Sequence, residues 1–168
     1  MKGAIGTVAD TEKALLAVDL GVRCGLAHYS AEGRLLSYRS HNFGSASRMR
    51  RGIPGIVREI GPPSHLLLEG GGDLAEPWIK EATRLDIAVI SVTADHWRKS
   101  LLLPRERNGT AVAKQQADGL ARFVIEWSGA SRPTSLRHDA AEAILAGFWG
   151  VHELGWLAEY PQALKRLN

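Results

Sequence analysis

Cysteine is nearly absent: Cys24 is the only one in 168 residues. No intramolecular disulfide is possible, and a reducing compartment is expected. Apolar runs stay short of the roughly 18 residues that a membrane span requires. The first residues lack a secretory hydrophobic core and an Arg/Ser-rich transit pattern, so a cytoplasmic location without membrane contact is expected. No Gly-rich nucleotide loop of Walker or dinucleotide type is present. Internal repeats, linkers and low-complexity tracts are missing too. Lysine is scarce among the basic residues: 6 of the 21 are Lys and 15 are Arg. Arginine suits bidentate phosphate contacts, and the pI near 9.2 permits a nucleic-acid partner without establishing one.

What is there is an ordinary globular composition, 45% hydrophobic and 23% charged. At this length the chain is expected to form one domain over residues 14–168, after a loose leader at 1–13. Residues 14–19 form a wholly apolar run that ends in Asp19, as a strand buried on both faces would. Gly21 and Gly25 follow, and residues 25–30 and 34–41 read as second and third strands joined by a turn at Ala31-Glu32-Gly33. Residues 45–60 read as helical, with Pro54 expected to divide the helix or delay its start. His65 to Glu69 repeats the first design, an apolar strand closed by a carboxylate.

Asp73 and Glu76 predict an N-cap and first turn of a helix to about Leu85, with Leu74, Trp78, Ala82 and Leu85 inward. A strand is expected at 87–92, with Thr93 capping a short helix through Trp97 and Leu101. After a polar loop at 104–109, Thr110 opens a long helix. A further helix is expected from Leu136 to Gly150, capped by Thr134 or Ser135, and a short one within 153–168. The order β-β-β-α-β-α-β-α-α predicts a mixed α/β fold, a hairpin-led sheet covered by helices.

The chemistry lies in the acids. Asp19 and Glu69 close two buried-looking strands. Asp139 and Glu142 are three apart and therefore neighbours on one helical face, among alanines small enough for close packing on a sheet. Taken singly, each acid reads as an ordinary turn or helix-start residue. Together, such a cluster repels itself and calls for cations. Oxygen-only ligands suit Mg²⁺ or Mn²⁺. Two such ions about 4 Å apart activate water and stabilise a leaving oxygen in phosphodiester hydrolysis.

At this point the chain resembles the RuvC-like Holliday junction resolvases of the RNase H-like superfamily. The residues that carry the likeness are Asp19-x-Gly21-x-Arg23-x-Gly25-x-Ala27, Glu69, Ala113-Lys114-Gln115-Gln116 and Asp139-Ala140-Ala141-Glu142-Ala143. They span roughly 14–150. The resemblance implies an RNase H-like five-stranded sheet, a three-stranded antiparallel meander plus two parallel strands, flanked by helices. It also implies a homodimeric endonuclease that cuts four-way DNA junctions with two Mg²⁺ or Mn²⁺ ions per site. Asp19, Glu69, Asp139 and Glu142 would be the ligands, Lys114 would steady the phosphate, and His138 would be a supporting or occasional ligand. Two departures stand out. Gly72 occupies the position of an aromatic that wedges into the junction, and Glu142 replaces the family's final Asp. The Trp97-Arg98-Lys99 segment looks closer to divergent phage and organellar members.

For DNA contact the candidates are Arg23, Arg98, Lys99, Arg105 and Arg107. Arg48, Arg50 and Arg51 read equally well as phosphate contacts or as a solvated helix face. Trp78, Trp127, Trp149 and Trp156 fall on apolar stripes; Trp97, beside basic residues, is a conceivable base stacker. The competing readings are a YqgF-like RNA-processing nuclease and a non-catalytic junction-binding relative. An actin-like ATPase, suggested by Asp19-Leu20-Gly21, needs two domains and far more chain.

Overall fold

The structure is a computed structural model that describes residues 13–102 and 110–165. The leader expected at 1–13 therefore lies, but for Lys13, outside the described residues, as do Arg105 and Arg107. Five strands form one sheet: β1 (Ala14–Asp19), β2 (Arg23–Ser30), β3 (Leu35–Asn42), β4 (His65–Glu69) and β5 (Ala88–Val92). Six α-helices lie among the described residues: α1 (Ala46–Ile60), α2 (Glu76–Arg84), α3 (Ala94–Leu101), α4 (Thr110–Ser128), α5 (His138–Glu153) and α6 (Gln162–Lys165). The strand order is β3-β2-β1-β4-β5. The first three strands pair antiparallel, and β4 and β5 run parallel to β1. This is the mixed five-stranded sheet that the resemblance implies, with helices on both faces. No helix among the described residues is long and apolar enough to cross a membrane.

The apolar runs at β1 and β4 are explained by burial on two faces. Successive strand residues point to opposite sides. Leu15, Ala17 and Leu67 join one core with Trp97, Ala121, Val124, Ala141, Leu145 and Phe148. Leu16, Val18, Leu66 and Leu68 join the other with Met49, Ile53, Val57 and Trp78. The same alternation carries Asp19 and Glu69 to the first face, where α3, α4 and α5 lie, and not to the side covered by α1 and α2.

Several local expectations are corrected. Pro54 lies inside one continuous α1, which Ser45 caps by accepting from the Arg48 backbone N–H at 3.2 Å. Pro54 has no N–H to offer the carbonyl of Arg50 one turn earlier, and Arg50 is exposed to solvent. Asp73 is not a helix cap: it sits in a 3-10 turn, Gly72–Leu74, and α2 begins after Ala75 with Pro77 in its first turn. Neither Thr134 nor Ser135 caps α5; Arg137 takes that position without a side-chain bond. Thr93 does cap α3, in a reciprocal box with His96, whose Nδ1 accepts from the Thr93 N–H at 3.0 Å. The second strand begins at Arg23, two residues earlier than expected.

Candidate active site

Three elements bring the four acids to one end of the sheet. Asp19 and Glu69 are register partners at the last rung of the parallel β1–β4 ladder. On the other side of β1, Asp19 is paired with Gly25. Helix α5 starts against that glycine: a β-carbon on Gly25 would lie 1.8 Å from the Asp139 carbonyl oxygen. Only a residue without a side chain lets the helix start approach β2 so closely. Further along α5, the buried Tyr29 hydroxyl on β2 donates to the Ile144 carbonyl at 2.5 Å and holds the helix to the sheet. Asp139 and Glu142 are thereby delivered beside Asp19 and Glu69.

Electrostatics report the convergence. Burial pushes the Asp19 carboxyl up to about 7, with further upward pressure from Glu142 and Asp139 and an opposing pull from Arg98. Glu69 is raised as well, first by burial and then by Glu142 and Asp19, while its hydrogen bond from Trp97 opposes the rise. Carboxylates that hold one another toward the protonated form gain from a nearby cation.

Among the described residues, each acid except Asp19 has a side-chain hydrogen-bond partner. The Trp97 indole N–H donates to Glu69 Oε2 at 3.1 Å. Glu142 Oε1 accepts from the Arg98 guanidinium at 3.1 Å and faces His138 Nε2 at 3.2 Å. Asp139 Oδ2 accepts from the Ser40 hydroxyl at 2.8 Å, and its Oδ1 from the Ala140 backbone N–H at 2.7 Å. Among the described residues no three His, Cys, Asp or Glu side chains are gathered around a point from which they would hold one ion. The chemistry of the donor set still fits a hard divalent cation: it is all oxygen, clustered, and short of positive charge. Asp19, Glu69 and Glu142 are the groups that would hold it, with Asp139 adjoining.

The remaining sequence candidates fall into separate places. His138 belongs to the cluster through Glu142. Arg98 belongs to it too, through its bond to Glu142. Lys114 stands exposed on α4 and takes no part in the cluster's hydrogen bonds given above. Lys99 is exposed on α3 beside Arg98, and Arg23 is exposed at the start of β2, one turn of chain after Asp19. Arg48, Arg50 and Arg51 are exposed near the start of α1, on the opposite face of the sheet. They share the carboxylate end, however, because α1 begins just after Asn42, the register partner of Arg23.

Trp97 is no base stacker. It is completely buried, between the sheet and α5, with its one polar atom bonded to Glu69. Its signal was available in the sequence, since Trp97 and Leu101 form an apolar i, i+4 pair that turns inward. The Ser40–Asp139 bond was not legible, because nothing in the pattern of β3 marks Ser40 among its polar neighbours.

No family model matches the chain, and no curated protein matches it. Solved structures do. The catalytic core domain of BIV integrase is similar with 11% identity and a TM-score of 0.34, over 81% of this chain and 81% of that one. A simian T-cell lymphotropic virus intasome, solved in complex with a PP2A regulatory subunit, is similar with 11% identity and a TM-score of 0.32. That match covers 80% of this chain and 47% of the other. Likeness at this level does not bear on what this chain does.

Proposed function

We propose that this chain is a divalent-cation-dependent endonuclease that hydrolyses phosphodiester bonds in DNA, and that its substrate is the four-way junction, cut by a homodimer. The observation that carries the reading is the Asp19–Glu69 rung facing the start of α5. It joins in space the acids that resemble the resolvase motif in sequence. A bound Mg²⁺ or Mn²⁺ supplies Lewis acidity toward the phosphate and lowers the cost of ionising water. Asp19, Glu69 and Glu142 position that cation. Trp97 and Ser40 hold two of the acids in orientation through their hydrogen bonds. His138, 43% exposed and next to Glu142, stands where a proton can pass between cluster and solvent. Arg23 and Lys99 offer exposed charge to the flanking backbone. Each cut consumes one water and leaves a phosphomonoester and a hydroxyl.

Junction selectivity and dimerisation rest on the sequence resemblance. The test is a gel assay on a synthetic four-way junction, with duplex DNA and RNA–DNA hybrid controls, in Mg²⁺ or Mn²⁺ and in EDTA. Paired symmetric nicks on the junction, lost in EDTA, are the expected result. Cleavage of the RNA-containing control alone would move the chain to the RNA-processing branch. Binding without cutting in either cation would make it a non-catalytic relative.

A further inference from the structure

Arg98 occupies an odd place for a strong cation. It is inside the group of acids that a metal ion is meant to neutralise. The placement is built. Thr93 caps the start of α3, and the fully buried Trp97 pins the helix to Glu69. Arg98 is the next residue, its guanidinium 5.2 Å from the Trp97 ring centroid and 3.1 Å from Glu142 Oε1. The Glu142 side chain is only 6% exposed, so little solvent separates the pair from the rest of the cluster. The Arg98 Nε is buried and, among the described residues, lacks a hydrogen-bond partner.

The acids divide accordingly. Glu142 Oε1 serves Arg98 and His138, and both Asp139 oxygens are taken by Ser40 and the Ala140 N–H. Asp19 and Glu69, the latter bonded at Oε2 to Trp97, stand side by side on adjacent strands. We propose that Arg98 stands in for one of the two cations, so that the centre takes a single divalent ion, held chiefly by Asp19 and Glu69. This inference rests on the metal-dependent reading above and alters its stoichiometry. An arginine cannot be deprotonated at working pH, so its charge is permanent and repels a second ion from the Glu142 side.

The experiment is a Mn²⁺ titration of the full chain, reading bound ions by the loss of the free-ion paramagnetic resonance signal and heats by calorimetry. Wild type, Arg98→Gln and Arg98→Lys are compared after each is shown folded by circular dichroism. Wild type is expected to bind one ion. Arg98→Gln is expected to bind a second ion, or to bind the first roughly tenfold or more tightly. Arg98→Lys keeps the charge and should keep the wild-type stoichiometry, which also covers a failure of the Gln variant to fold. Two ions on wild type, or identical titrations for wild type and Arg98→Gln, would overturn the proposal. Glu69→Gln separates the two levels. If wild type binds two ions and both weaken in Glu69→Gln, the metal centre stands and only the role of Arg98 falls. If wild type binds no ion, or its binding survives Glu69→Gln unchanged, the metal-dependent reading falls with it.

Discussion

Asp19 and Glu69 are register partners on two adjacent parallel strands, at the last rung of the ladder, and both side chains leave the sheet on the α5 face. Parallel pairing places them side by side without any loop geometry, on strands whose preceding residues are fully buried. Replacing either carboxylate by its amide preserves shape and removes charge. Asp19→Asn and Glu69→Gln are each expected to lower the cleavage rate by roughly a hundredfold or more while leaving junction affinity within a few-fold. Single-turnover cleavage and gel-shift titration of the same preparations check both halves. Wild-type cleavage by either variant would remove the rung from the active centre.

Asp19 also predicts how stability follows pH. Its carboxyl is raised from 3.8 to about 7, chiefly by burial. Between those values the folded chain holds a proton that the unfolded chain has released. Stability therefore falls as pH rises through this window, and the loss is complete above about 7. Glu69, raised in the same sense, adds to the trend. Asp19→Asn keeps the neutral shape at every pH. Its melting temperature is expected to exceed that of wild type near pH 8 and to approach it near pH 5. Adding Mn²⁺ near pH 8 should raise the wild-type melting temperature and do much less for Asp19→Asn. Differential scanning fluorimetry across a pH series with and without Mn²⁺ measures all of this.

Much of this arrangement was legible in the sequence because the signals were local. A strand buried on both faces is a short unbroken apolar run, and both Ala14–Asp19 and His65–Glu69 are such runs ending in an acid. Helix α5 shows itself by small residues beside an i, i+3 acidic pair. What escaped was set by tertiary contact. Pro54 is half-buried in α1 and the carbonyl one turn before it belongs to the exposed Arg50, where a missing hydrogen bond costs little, so the local breaker signal misled. Asp73 was a plausible cap until Gly72, at φ 70°, turned the chain into a 3-10 turn first. Arg98 was read as a surface DNA contact because basic residues follow it. Its bond to Glu142 depends on where α3 packs, and no sequence period encodes that.

Trp97 supplies a prediction about support rather than chemistry. Its indole N–H is the protein donor bonded to Glu69, and the ring is wholly buried. Trp97→Phe keeps most of the apolar volume and leaves a buried carboxylate oxygen without its donor. The expected cost is about 1–3 kcal/mol of stability. Chemical denaturation measures it. Cleavage should fall as well, by roughly tenfold to a hundredfold, because Glu69 loses the bond that orients it. Its burial further predicts that adding junction DNA leaves Trp97 emission unquenched, seen by comparing wild type with Trp97→Phe. DNA-dependent quenching that disappears in the variant would restore the base-stacking role.

Gly25 is the point on which the whole constellation turns. A β-carbon there would fall 1.8 Å from the Asp139 carbonyl oxygen and 2.9 Å from the Ala140 nitrogen, both backbone atoms that cannot rotate away. Gly25→Ala must therefore push the start of α5 off β2, and the helix is held further along by the Tyr29–Ile144 bond and by close packing of Gly147 against Tyr29. The displacement falls on the end that carries Asp139 and Glu142. A loss of about 4 kcal/mol or more is expected, the range reached by severe overpacking of a core. If the chain still folds, the separation of α5 from Asp19 should abolish metal-dependent cleavage, although every carboxylate remains in the sequence. Gly55→Ala, with open space at its β-carbon, is the matched control and should retain both stability and cleavage. Equal behaviour of the two variants would mean that the contact between β2 and α5 does not assemble the site.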